Sequence, residues 1–578
     1  MSDLGVTSHG LTERAVPERD LSRIVSRSSS QFLTFGEEGK MTIPHEQSDP
    51  STLGDAAEEK VRSLSRKEAY PFPVESIEVR HTHISAVFLV DDVVYKMKKP
   101  VKLPFLDFSS VAFRHHFCDE EVRVNSPWAP GVYLGVVPVV SGREGYRFEG
   151  EGEAADWAVK MTRLPESVTL RSRLNRGELE KSDCERVARR IAEIHRTATA
   201  YSGDEAREAV RAFRTLWMDN WSFAEQLPEE IISRSVLERI ACLSERWLDY
   251  GHDLLMKRAE QGWIRDVHGD LRLEHVYYFP DSSPPGDVVI LDGIEFDPGF
   301  RRIDVVADMA FLTMELSFMG FAELADSFAK AYFAESGDLT GLDVLPLFAV
   351  YRSAVRAKVA AILACESEVP EADRMKAIQR SRSHWLWCLS ELESPGQRPA
   401  LILVSGLPGT GKSTLSRALS ELGHFEVIRS DVIRKEIFAA ENTDQTASLY
   451  TSERTQRVYD ECLERARLAL RHGKRVIVDA TFQREQDRQS FLQLAMECGT
   501  RAAWIECTAP PEITKQRIDA RHGDASDADW AVYQLVRSRW QEPSEHTRRF
   551  YEQVETGLSS EDASNSAMAA VRRRGIVD

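Results

Sequence analysis

Gly406-Leu-Pro-Gly-Thr-Gly-Lys-Ser413 is the most informative motif in this chain of 578 residues. It fits the pattern G-x-x-x-x-G-K-[ST] in full, in which glycines let backbone N–H groups turn toward phosphate oxygens. The apolar run Leu401-Ile-Leu-Val404 precedes the motif, and residues 415–421 follow it with a helical pattern. A buried strand, a glycine-rich loop and a helix in this order predict a site for nucleotide phosphates.

The segments around this loop predict a parallel α/β sheet. Apolar runs recur at Phe425-Glu-Val-Ile428, Arg475-Val-Ile-Val478 and Ala502-Ala-Trp-Ile-Glu-Cys507, with helical patterns between them. Alternating strands and helices are typical of such sheets. Because the stretch from Ser394 to Pro399 is rich in Pro and Gly, it indicates a linker, and we expect a P-loop domain over residues 399–556.

The chemistry of phosphate binding gives roles to several side chains of this domain. Lys412 is expected to reach the β- and γ-phosphates of ATP, and Ser413 is expected to hold Mg²⁺. Asp479 ends a predicted strand and suits the shell of the magnesium ion or a substrate role. The cofactor-binding residues predicted on the loop are Gly406, Gly409, Thr410, Gly411, Lys412, Ser413 and Thr414.

Charged residues beyond the loop indicate transfer of the γ-phosphate. Asp431 follows the second strand, a position from which it can orient or deprotonate an acceptor hydroxyl. Arg434, three residues on, is expected to stabilise charge on the transferring group. Arg517 and Arg521 are four residues apart on a predicted helix and share a face, so they are expected to close over the γ-phosphate. The alternative for these two arginines is a solvated helix face.

Together these residues resemble the P-loop kinases related to polynucleotide kinases, zeta toxins and chloramphenicol phosphotransferases. The similarity covers about residues 401–551. It implies that Asp431 is the acid on the acceptor side, that Arg434 binds the acceptor or the phosphate, and that Arg521 is the lid arginine. Acceptors in these families range from nucleic acid ends to sugar nucleotides and antibiotics, so the resemblance implies phosphoryl transfer without naming the acceptor.

The first half of the chain starts β-rich and continues α-rich, which predicts two lobes. Residues 84–90 and 93–97 are apolar on either side of Asp91-Asp92, a pattern that predicts a β-hairpin. Residues 113–125 predict a helix, and residues 132–140 and 157–161 predict strands. From residue 184 onward apolar residues recur at helical spacing, and long helical patterns cover residues 206–260.

A second phosphotransferase pattern lies at His268-Gly-Asp-Leu-Arg-Leu-Glu-His275, followed by Val289-Ile-Leu-Asp292. It resembles the catalytic and metal-binding motifs of aminoglycoside phosphotransferases and other kinase-like small-molecule kinases. The resemblance implies that Asp270 is the catalytic base, Asp292 the metal ligand and Asp308 the residue that braces the catalytic loop. It also assigns Lys96 to the α/β-phosphates and Glu121 as its ion-pair partner, with Lys98 as the rival lysine.

Two departures from that family pattern leave two hypotheses open. Position 275 is His where the pattern has a Mg²⁺-binding Asn, and a neutral imidazole suits hard Mg²⁺ less well than an amide oxygen. There is also no G-x-G-x-x-G loop between the first two strands. Either this half is a second active kinase, or it is a binding or regulatory module beside an active P-loop half.

The order of the two patterns resembles bacterial bifunctional fusions of an aminoglycoside phosphotransferase-like domain with a P-loop ATP-binding domain. We therefore predict an α+β bilobal protein-kinase-like domain followed by an α/β P-loop kinase domain with a parallel sheet. The predicted segments are a disordered tail over 1–65, the kinase-like domain over 66–393, the P-loop domain over 399–556 and a tail over 557–578. The expected partners are ATP, Mg²⁺ and a hydroxyl-bearing small molecule or nucleotide-like acceptor.

The composition of the chain argues against several classes of protein, among them membrane, secreted and disulfide-bonded proteins. No apolar run approaches the ~20 residues of a membrane span, and the N-terminus lacks the apolar core of a secretory signal, so we expect a cytoplasmic protein. Eight scattered cysteines without a C-x-x-C pair indicate neither disulfides nor a cysteine zinc site. The net charge of −18 argues against a broad nucleic-acid interface. From Pro399 onward the chain is nearly neutral, with 25 basic and 27 acidic residues, so a polynucleotide 5′-hydroxyl kinase stays an alternative.

Overall fold

The computed structural model describes residues 34–35, 41–42, 50–103, 106–142, 145–365, 369–438, 451–520, 528–557 and 559–578. These residues form two halves. The N-terminal half, residues 50–393, is an antiparallel sheet followed by helices, and the C-terminal half, residues 399–578, is a parallel sheet between helices. None of the described helices is both long and apolar enough to cross a membrane.

Six antiparallel strands open the N-terminal half. In spatial order they are Ile77–His81, Ser85–Val90, Val93–Lys98, Ala154–Thr162, Tyr133–Gly142 and Gly145–Phe148. The predicted hairpin is confirmed, since the second and third strands pair through the turn at Asp91. Asp91 has a left-handed φ of 47°, and its carboxylate accepts hydrogen bonds from the backbone N–H groups of Glu75 and Ser76. One turn residue thus fixes both the hairpin and the entry to the first strand.

Shorter strands pair in twos. The pairs are Thr34–Phe35 with Met41–Thr42, Lys102–Leu103 with Leu106–Asp107, Ile264–Asp266 with Arg302–Asp304, and Val276–Tyr278 with Val288–Ile290. The last two pairs flank the loop from His268 to His275. They hold that loop beside the segment that follows Ile290, which carries Asp292.

Helices form the remainder of the N-terminal half. They are Pro50–Leu64, Val111–Asn125, Leu170–Asn175, Lys181–Thr197, Gly203–Ala224, Arg234–Glu260, Val305–Phe318, Ala322–Ser336, Gly341–Cys365 and Glu371–Leu392, with 3₁₀ turns at Lys67–Ala69, Glu166–Val168 and Pro298–Phe300. The apolar residues that predicted the helix from residue 184 onward, among them Val187, Ile191 and Ile194, are buried in it. The helical spacing of these apolar residues therefore correctly predicted which face of the helix packs into the core.

Five parallel strands form the sheet of the C-terminal half. In spatial order they are Glu426–Arg429, Arg475–Asp479, Ala400–Ser405, Arg501–Thr508 and Tyr551–Glu555. The surrounding helices are Lys412–Gly423, Ser430–Phe438, Ser452–Arg471, Glu485–Glu497, Pro511–Asp519, Trp530–Ser538, Glu545–Arg548 and Ser560–Arg573. The predicted parallel sheet is confirmed, and its central strand, Ala400–Ser405, is buried at every position.

The boundary predicted for the N-terminal tail, at residue 65, is wrong. Much of residues 1–65 lies outside the part of the chain that the structure describes, but Pro50–Leu64 form a helix. Leu64 is fully buried among side chains of the six-stranded sheet. Lys60 Nζ lies 2.7 Å from Asp156 Oδ2. These contacts are with residues far along the chain, which is why the local composition gave no sign of them.

The tail predicted over residues 557–578 is also wrong. Residues Ser560–Arg573 form a helix whose Ala563, Ala567 and Val571 are buried against the parallel sheet. Alanine contributes little to an apolar periodic pattern, yet its small side chain lets a helix approach its neighbours closely. The C-terminal helix therefore belongs to the core of this half.

The segment predicted as a linker, Ser394–Pro399, is held by one side chain. The guanidinium of Arg475, which begins a strand of the parallel sheet, is buried there. Its N–H groups donate at 2.8 to 3.0 Å to the carbonyl oxygens of Pro395, Arg398, Gly423 and Ile576. The connection between the halves is therefore a fixed turn.

The two halves share one hydrophobic core. The helix Glu371–Leu392 of the N-terminal half packs against the C-terminal half, and Ser383 Oγ donates a hydrogen bond to the carbonyl oxygen of Glu497. Gly499 has a φ of 56°, and a Cβ at this position would lie 2.5 Å from the carbonyl oxygen of Ser383. Glycine at 499 therefore permits the close approach of the two halves.

Replacing Gly499 with alanine is expected to destabilise the protein more than the same replacement at Gly177. Both glycines have a positive φ, 56° and 72°, so each variant incurs about 1–2 kcal/mol of backbone strain. At Gly177 no atom lies within 4 Å of the added methyl group, whereas at Gly499 the methyl meets the opposite half, which adds about 1–3 kcal/mol. Urea unfolding of the full chain measures both losses, and equal losses would contradict a tight contact at Gly499.

Candidate active sites in the two halves

The glycines of the loop from Gly406 to Ser413 are required by its backbone. Gly406, Gly409 and Gly411 have φ values of 134°, 81° and 87°, a region that favours glycine. A Cβ at Gly406 would lie 2.4 Å from the carbonyl oxygen of Cys507. The loop ends where the helix Lys412–Gly423 begins, so the helix N-terminus faces the same cradle.

The polar side chains of the loop bond to the loop itself. Lys412 Nζ donates to the carbonyl oxygen of Leu407 at 3.0 Å, and Thr410 Oγ1 donates to the same oxygen at 2.8 Å. Thr410 is buried and Thr414 is exposed on the first helical turn. The Lys412 ammonium thus lies across the loop, where an anionic ligand would replace a carbonyl oxygen as its partner.

Two oxygen ligands suited to Mg²⁺ lie at the carboxyl edge of the sheet. Asp479 ends its strand next to Ser413, and its Oδ2 is buried without a hydrogen-bond donor among the described residues. Burial raises the pKa of Asp479, although the charge of Lys412 and a hydrogen bond from Ser413 act in the opposite direction. A hydroxyl and an unbonded carboxylate oxygen form a hard donor set, so these residues fit the ion.

Arg429 also belongs to this site and was missed in the sequence. Its Nη2 donates to Ser413 Oγ at 3.2 Å, and its Nε lies 3.6 Å from Asp479 Oδ2. Arg429 is the last residue of a parallel strand, and the carboxyl ends of such strands meet at one edge. That position, directly before Ser430-Asp431, is the signal that would have identified it.

Asp431, the residue predicted as the acid on the acceptor side, lies at the same edge of the sheet. Asp431 is half-buried in the first turn of Ser430–Phe438, two residues after Arg429, and Arg429 is paired with Asp479 in the register of the sheet. The charge of Asp431 helps to raise the pKa of Asp479. Arg434 is buried on the same helix and acts on the pKa of the Cys462 thiol, which places it toward the helix Ser452–Arg471.

Of the two predicted lid arginines, Arg517 lies over the loop. Its Nη2 donates to the carbonyl oxygen of Thr556 at 2.8 Å, and its Nη1 would be 3.6 Å from a Cβ on Gly411. That Nη1 is buried and without a bond to the described residues. Arg521 lies outside the described part of the chain.

In the N-terminal half, one glutamate joins the two rival lysines. Glu121 Oε1 lies 2.9 Å from Lys96 Nζ, and Glu121 Oε2 lies 2.8 Å from Lys98 Nζ. Lys96 also reaches Asp292 Oδ1 at 2.8 Å, whereas Lys98 is fully buried and pairs with Glu295. Burial acts to raise the pKa of Glu121, but the two lysines hold it below its usual value. Of the two lysines, Lys96 is therefore the one that is partly exposed and reaches Asp292.

The loop from His268 to His275 is braced from below by Asp308. The Asp308 carboxylate accepts hydrogen bonds from the backbone N–H groups of His268 at 3.0 Å and Gly269 at 2.9 Å, as the resemblance implied. His268 is buried, and its Nε2 donates to the carbonyl oxygen of Leu291 at 2.9 Å. His268 therefore ties the loop to the segment that carries Asp292.

Three predicted residues meet at this loop. His275 Nδ1 donates to the backbone carbonyl of Asp270 at 2.8 Å, which fixes a proton on Nδ1, and His275 Nε2 lies 4.0 Å from Glu274 Oε1. Burial raises the pKa of Asp270, but the charges of His275 and Arg272 outweigh it and lower the pKa. The charge of Lys96 lowers the pKa of Asp292, so both aspartates are ionised at neutral pH. Asp292 fits a hard cation, and His275 supplies a nitrogen where an oxygen is preferred.

Comparison with known proteins places the chain in a family. A family model described as "AAA domain" matches residues 401–543 and confirms the P-loop domain. Uncharacterized protein Rv2004c of Mycobacterium tuberculosis and Uncharacterized protein Mb2027c of Mycobacterium bovis are each 30% identical over 478 residues, which is 82% of this chain and 92% of theirs. The chain belongs to the family of these mycobacterial proteins. An alignment of 478 residues is longer than either half, so these relatives match this chain in both halves.

Two of the solved structures that match this member of the Rv2004c family each cover 31% of its chain. A putative kinase from Chloroflexus aurantiacus J-10-fl is 24% identical, covers 31% of this chain and 99% of its own, and has a TM-score of 0.25. A gluconokinase from Sinorhizobium meliloti 1021 is 17% identical, covers 31% of this chain and 94% of its own, and has a TM-score of 0.24. At these TM-scores the likeness adds nothing to the fold described above.

Asp479→Asn is expected to stabilise the metal-free protein at neutral pH. The folded chain raises the pKa of Asp479 by burial, so the unfolded chain releases this proton more readily. The resulting destabilisation is absent at low pH and grows as the pH rises above the ordinary aspartate value of about 4. In EDTA, the Tm of the variant should exceed that of the parent by about 2 °C at pH 7 and match it near pH 3.

The matched control for this change is Asp487→Asn. Asp487 is also buried in the C-terminal half, but it is paired with Arg484 at 2.6 Å. Removing its charge leaves that guanidinium without its partner and should lower the Tm at pH 7. A lower Tm for Asp479→Asn as well would show that the Asp479 carboxylate is a structural ion-pair partner.

Proposed function

We propose that the protein is an ATP-dependent phosphotransferase that acts on the alcohol group of a small-molecule or nucleotide-like acceptor. The observation that carries the proposal is the meeting of the glycine loop, Lys412, Ser413 and two carboxylates, Asp479 and Asp431, at one edge of the parallel sheet. Phosphoryl transfer depends mainly on positioning and on charge stabilisation, and this site supplies groups for both.

ATP would lie on the loop with its β- and γ-phosphates against the backbone N–H groups and Lys412. Ser413 and Asp479 would hold Mg²⁺, which when bound neutralises charge on the phosphate oxygens. Arg429, already bonded to Ser413, fixes the direction of that hydroxyl. Arg517 stands over Gly411 with an unbonded N–H group that can donate to a phosphate oxygen.

In the transfer step, the acceptor hydroxyl oxygen forms a bond to the γ-phosphorus. The bond between that phosphorus and the β–γ bridging oxygen breaks, and the electron pair stays on the ADP product. The hydroxyl proton passes to Asp431, which acts as the acceptor-side base. Arg434 and Arg521 are proposed to stabilise charge on the acceptor or on the transferring group.

For the N-terminal half we propose a second, protein-kinase-like phosphotransferase of the aminoglycoside phosphotransferase type. Lys96 and Glu121 would position the α/β-phosphates, Asp292 would hold Mg²⁺, and Asp270 would take the acceptor proton. The ion pairs of Lys96 with Glu121 and Asp292 support these roles. The alternative, a binding or regulatory module, is favoured by His275, because its Nε2 is a weaker ligand for Mg²⁺ than an amide oxygen.

Two arginines of the helix Ser452–Arg471 give little support to a polynucleotide kinase, because acidic side chains of the same surface pair with them. Arg465 Nε lies 2.8 Å from Glu461 Oε1 and its Nη2 lies 2.7 Å from Glu436 Oε2. Arg467 pairs with Glu464 at 3.2 Å. Arginines engaged by acids of the same surface give a solvated face with little net charge for phosphates of nucleic acid.

Lys412→Ala is expected to remove at least about 100-fold of the ATP turnover of the C-terminal site, because the variant loses a charged contact to the transferring phosphate. Transfer from γ-labelled ATP is measured on the full chain across a panel of hydroxylated metabolites. Lys474→Ala is the matched control, since Lys474 is a surface lysine paired with Glu426 at 2.9 Å. Full activity of Lys412→Ala would exclude the P-loop as the main site.

The activity that remains in Lys412→Ala separates the two hypotheses for the N-terminal half. If that half is a kinase, residual transfer should fall further when Asp270→Asn is added. If it is a regulatory module, no acceptor should show transfer that depends on Asp270. Asp281→Asn, a change in the surface turn after Phe279, is the control for loss of one carboxylate.

His275→Asn is expected to lower the Mg²⁺ concentration at which the N-terminal half is half-saturated. The amide oxygen of asparagine is a harder ligand than an imidazole nitrogen, so affinity for Mg²⁺ should rise by about tenfold. The measurement is residual transfer, or nucleotide binding, in the Lys412→Ala chain as Mg²⁺ is varied. His472→Asn, on the C-terminal half, is the control, and an unchanged Mg²⁺ requirement would contradict a ligand role for position 275.

A further inference from the structure

The guanidinium of Arg429 lies against both side chains that fit Mg²⁺ in the C-terminal half. Its Nη2 donates to Ser413 Oγ at 3.2 Å, and its Nε lies 3.6 Å from Asp479 Oδ2. The Arg429 side chain is 26% exposed and that of Asp479 is 5% exposed, so water screens this contact only in part. Lys412, another cation of the site, bonds instead to the carbonyl oxygen of Leu407. Arg429 is therefore the cation that lies beside the two proposed metal ligands.

The pairing of the strands explains this position. Arg429 and Asp479 are Cα partners at the carboxyl ends of two adjacent parallel strands. Because side chains alternate along a strand, Arg429 shares a face with Val427, and Asp479 shares a face with Ile477. Val427 and Ile477 both pack in the hydrophobic cluster that includes the helix Lys412–Gly423. Both charged side chains therefore lie on the face of the sheet that this helix covers, and the first turn of the helix supplies the serine hydroxyl.

Magnesium requires the same oxygen atoms. A hydroxyl has two lone pairs, and the N–H group of Arg429 uses one of those on Ser413. An ion at bonding distance from Ser413 Oγ and Asp479 Oδ2 would lie within a few ångströms of the guanidinium. Like charges at such a distance repel strongly in a partly buried site. Arg429 and Mg²⁺ are therefore rivals for one position.

We propose that Mg²⁺ displaces the Arg429 guanidinium from Ser413 and Asp479, so that Arg429 sets the metal concentration at which the P-loop site is half-saturated. The inference rests on the proposed function, because it takes Ser413 and Asp479 as the ligands of the ion. Arg429 is a positioning residue: it directs the serine hydroxyl before the ion enters and leaves that hydroxyl when the ion binds.

A permanent anchor for the serine hydroxyl would give the opposite result. If the guanidinium stayed on Ser413 while the ion bound, its removal would leave the hydroxyl without direction and weaken metal binding. If the guanidinium must leave, its removal ends the competition and strengthens metal binding. The sign of the change in metal affinity therefore separates the two roles of Arg429.

Metal binding by the full-length chain, measured without nucleotide, tests the proposal. Mn²⁺, which takes the same kinds of oxygen ligand as Mg²⁺, is titrated into the protein, and free Mn²⁺ is measured by electron paramagnetic resonance. Arg429→Met should tighten Mn²⁺ binding at the P-loop site at least ~10-fold, because a repelling charge is removed. Arg429→Gln, which keeps a neutral donor, should behave in the same way. Arg429→Lys, which keeps the charge, should stay close to the parent.

Arg465→Gln is the matched control, since Arg465 is an exposed arginine of the helix Ser452–Arg471 that pairs with two glutamates. Its loss should leave Mn²⁺ affinity unchanged, and thermal melts check that every variant folds. Unchanged or weaker binding in Arg429→Met and Arg429→Gln would overturn the proposal. Binding in Arg429→Lys as tight as in Arg429→Met would also overturn it, because charge would then not be the cause.

Asp479→Asn distinguishes failure of this inference from failure of the proposed metal site. The Mn²⁺ binding that this change removes is the binding at the P-loop. If Asp479→Asn removes no binding, Asp479 is not a metal ligand, and both the metal site of the proposed function and the competition with Arg429 are wrong. If it removes binding while the Arg429 variants match the parent, the metal site stands and only the competition is wrong.

Discussion

One guanidinium secures the place where the two halves join. Arg475 donates to four carbonyl oxygens, two in the connecting segment, one at Gly423 and one at Ile576. Buried carbonyl groups without a donor are costly, so these segments are fixed relative to one another. Burial lowers the pKa of Arg475 to about 10, which leaves it charged at neutral pH. The strand that begins at Arg475 ends at Asp479, so the junction and the phosphate site are two ends of one element.

The two candidate sites share the same arrangement of a lysine, an aspartate and a glycine. In each, a lysine is held by protein oxygen atoms at the position where phosphate oxygens are expected: Lys412 by the carbonyl of Leu407, and Lys96 by Glu121 and Asp292. In each, an aspartate lies close to a strand end and a glycine permits a sharp turn, Gly406 in one half and Gly269, with a φ of 86°, in the other. Under the proposed function, nucleotide binding at each site would exchange these internal partners for phosphate groups.

Features that depend on local sequence could be predicted, and features that depend on tertiary contacts could not. Apolar runs predict the buried strands, and the motif from Gly406 to Ser413 predicts the P-loop. The edge strand Tyr551–Glu555 was missed because Val554 is its one buried residue, and the helix Ser560–Arg573 because alanine gives a weak periodic signal. Arg429 was missed because its place directly before Ser430-Asp431 becomes informative only when its strand is paired with the strand that ends at Asp479.

The shared core means that the two halves depend on each other for stability. Trp387 and Leu389 of the helix Glu371–Leu392 touch Gly499 and Gly473 of the opposite half, so the seam between the halves is built like a protein interior. Cutting the chain at the connecting segment would expose an apolar surface on each half to water. In evolution neither half can therefore be exchanged independently, because a substitution on the helix Glu371–Leu392 changes the stability of both halves.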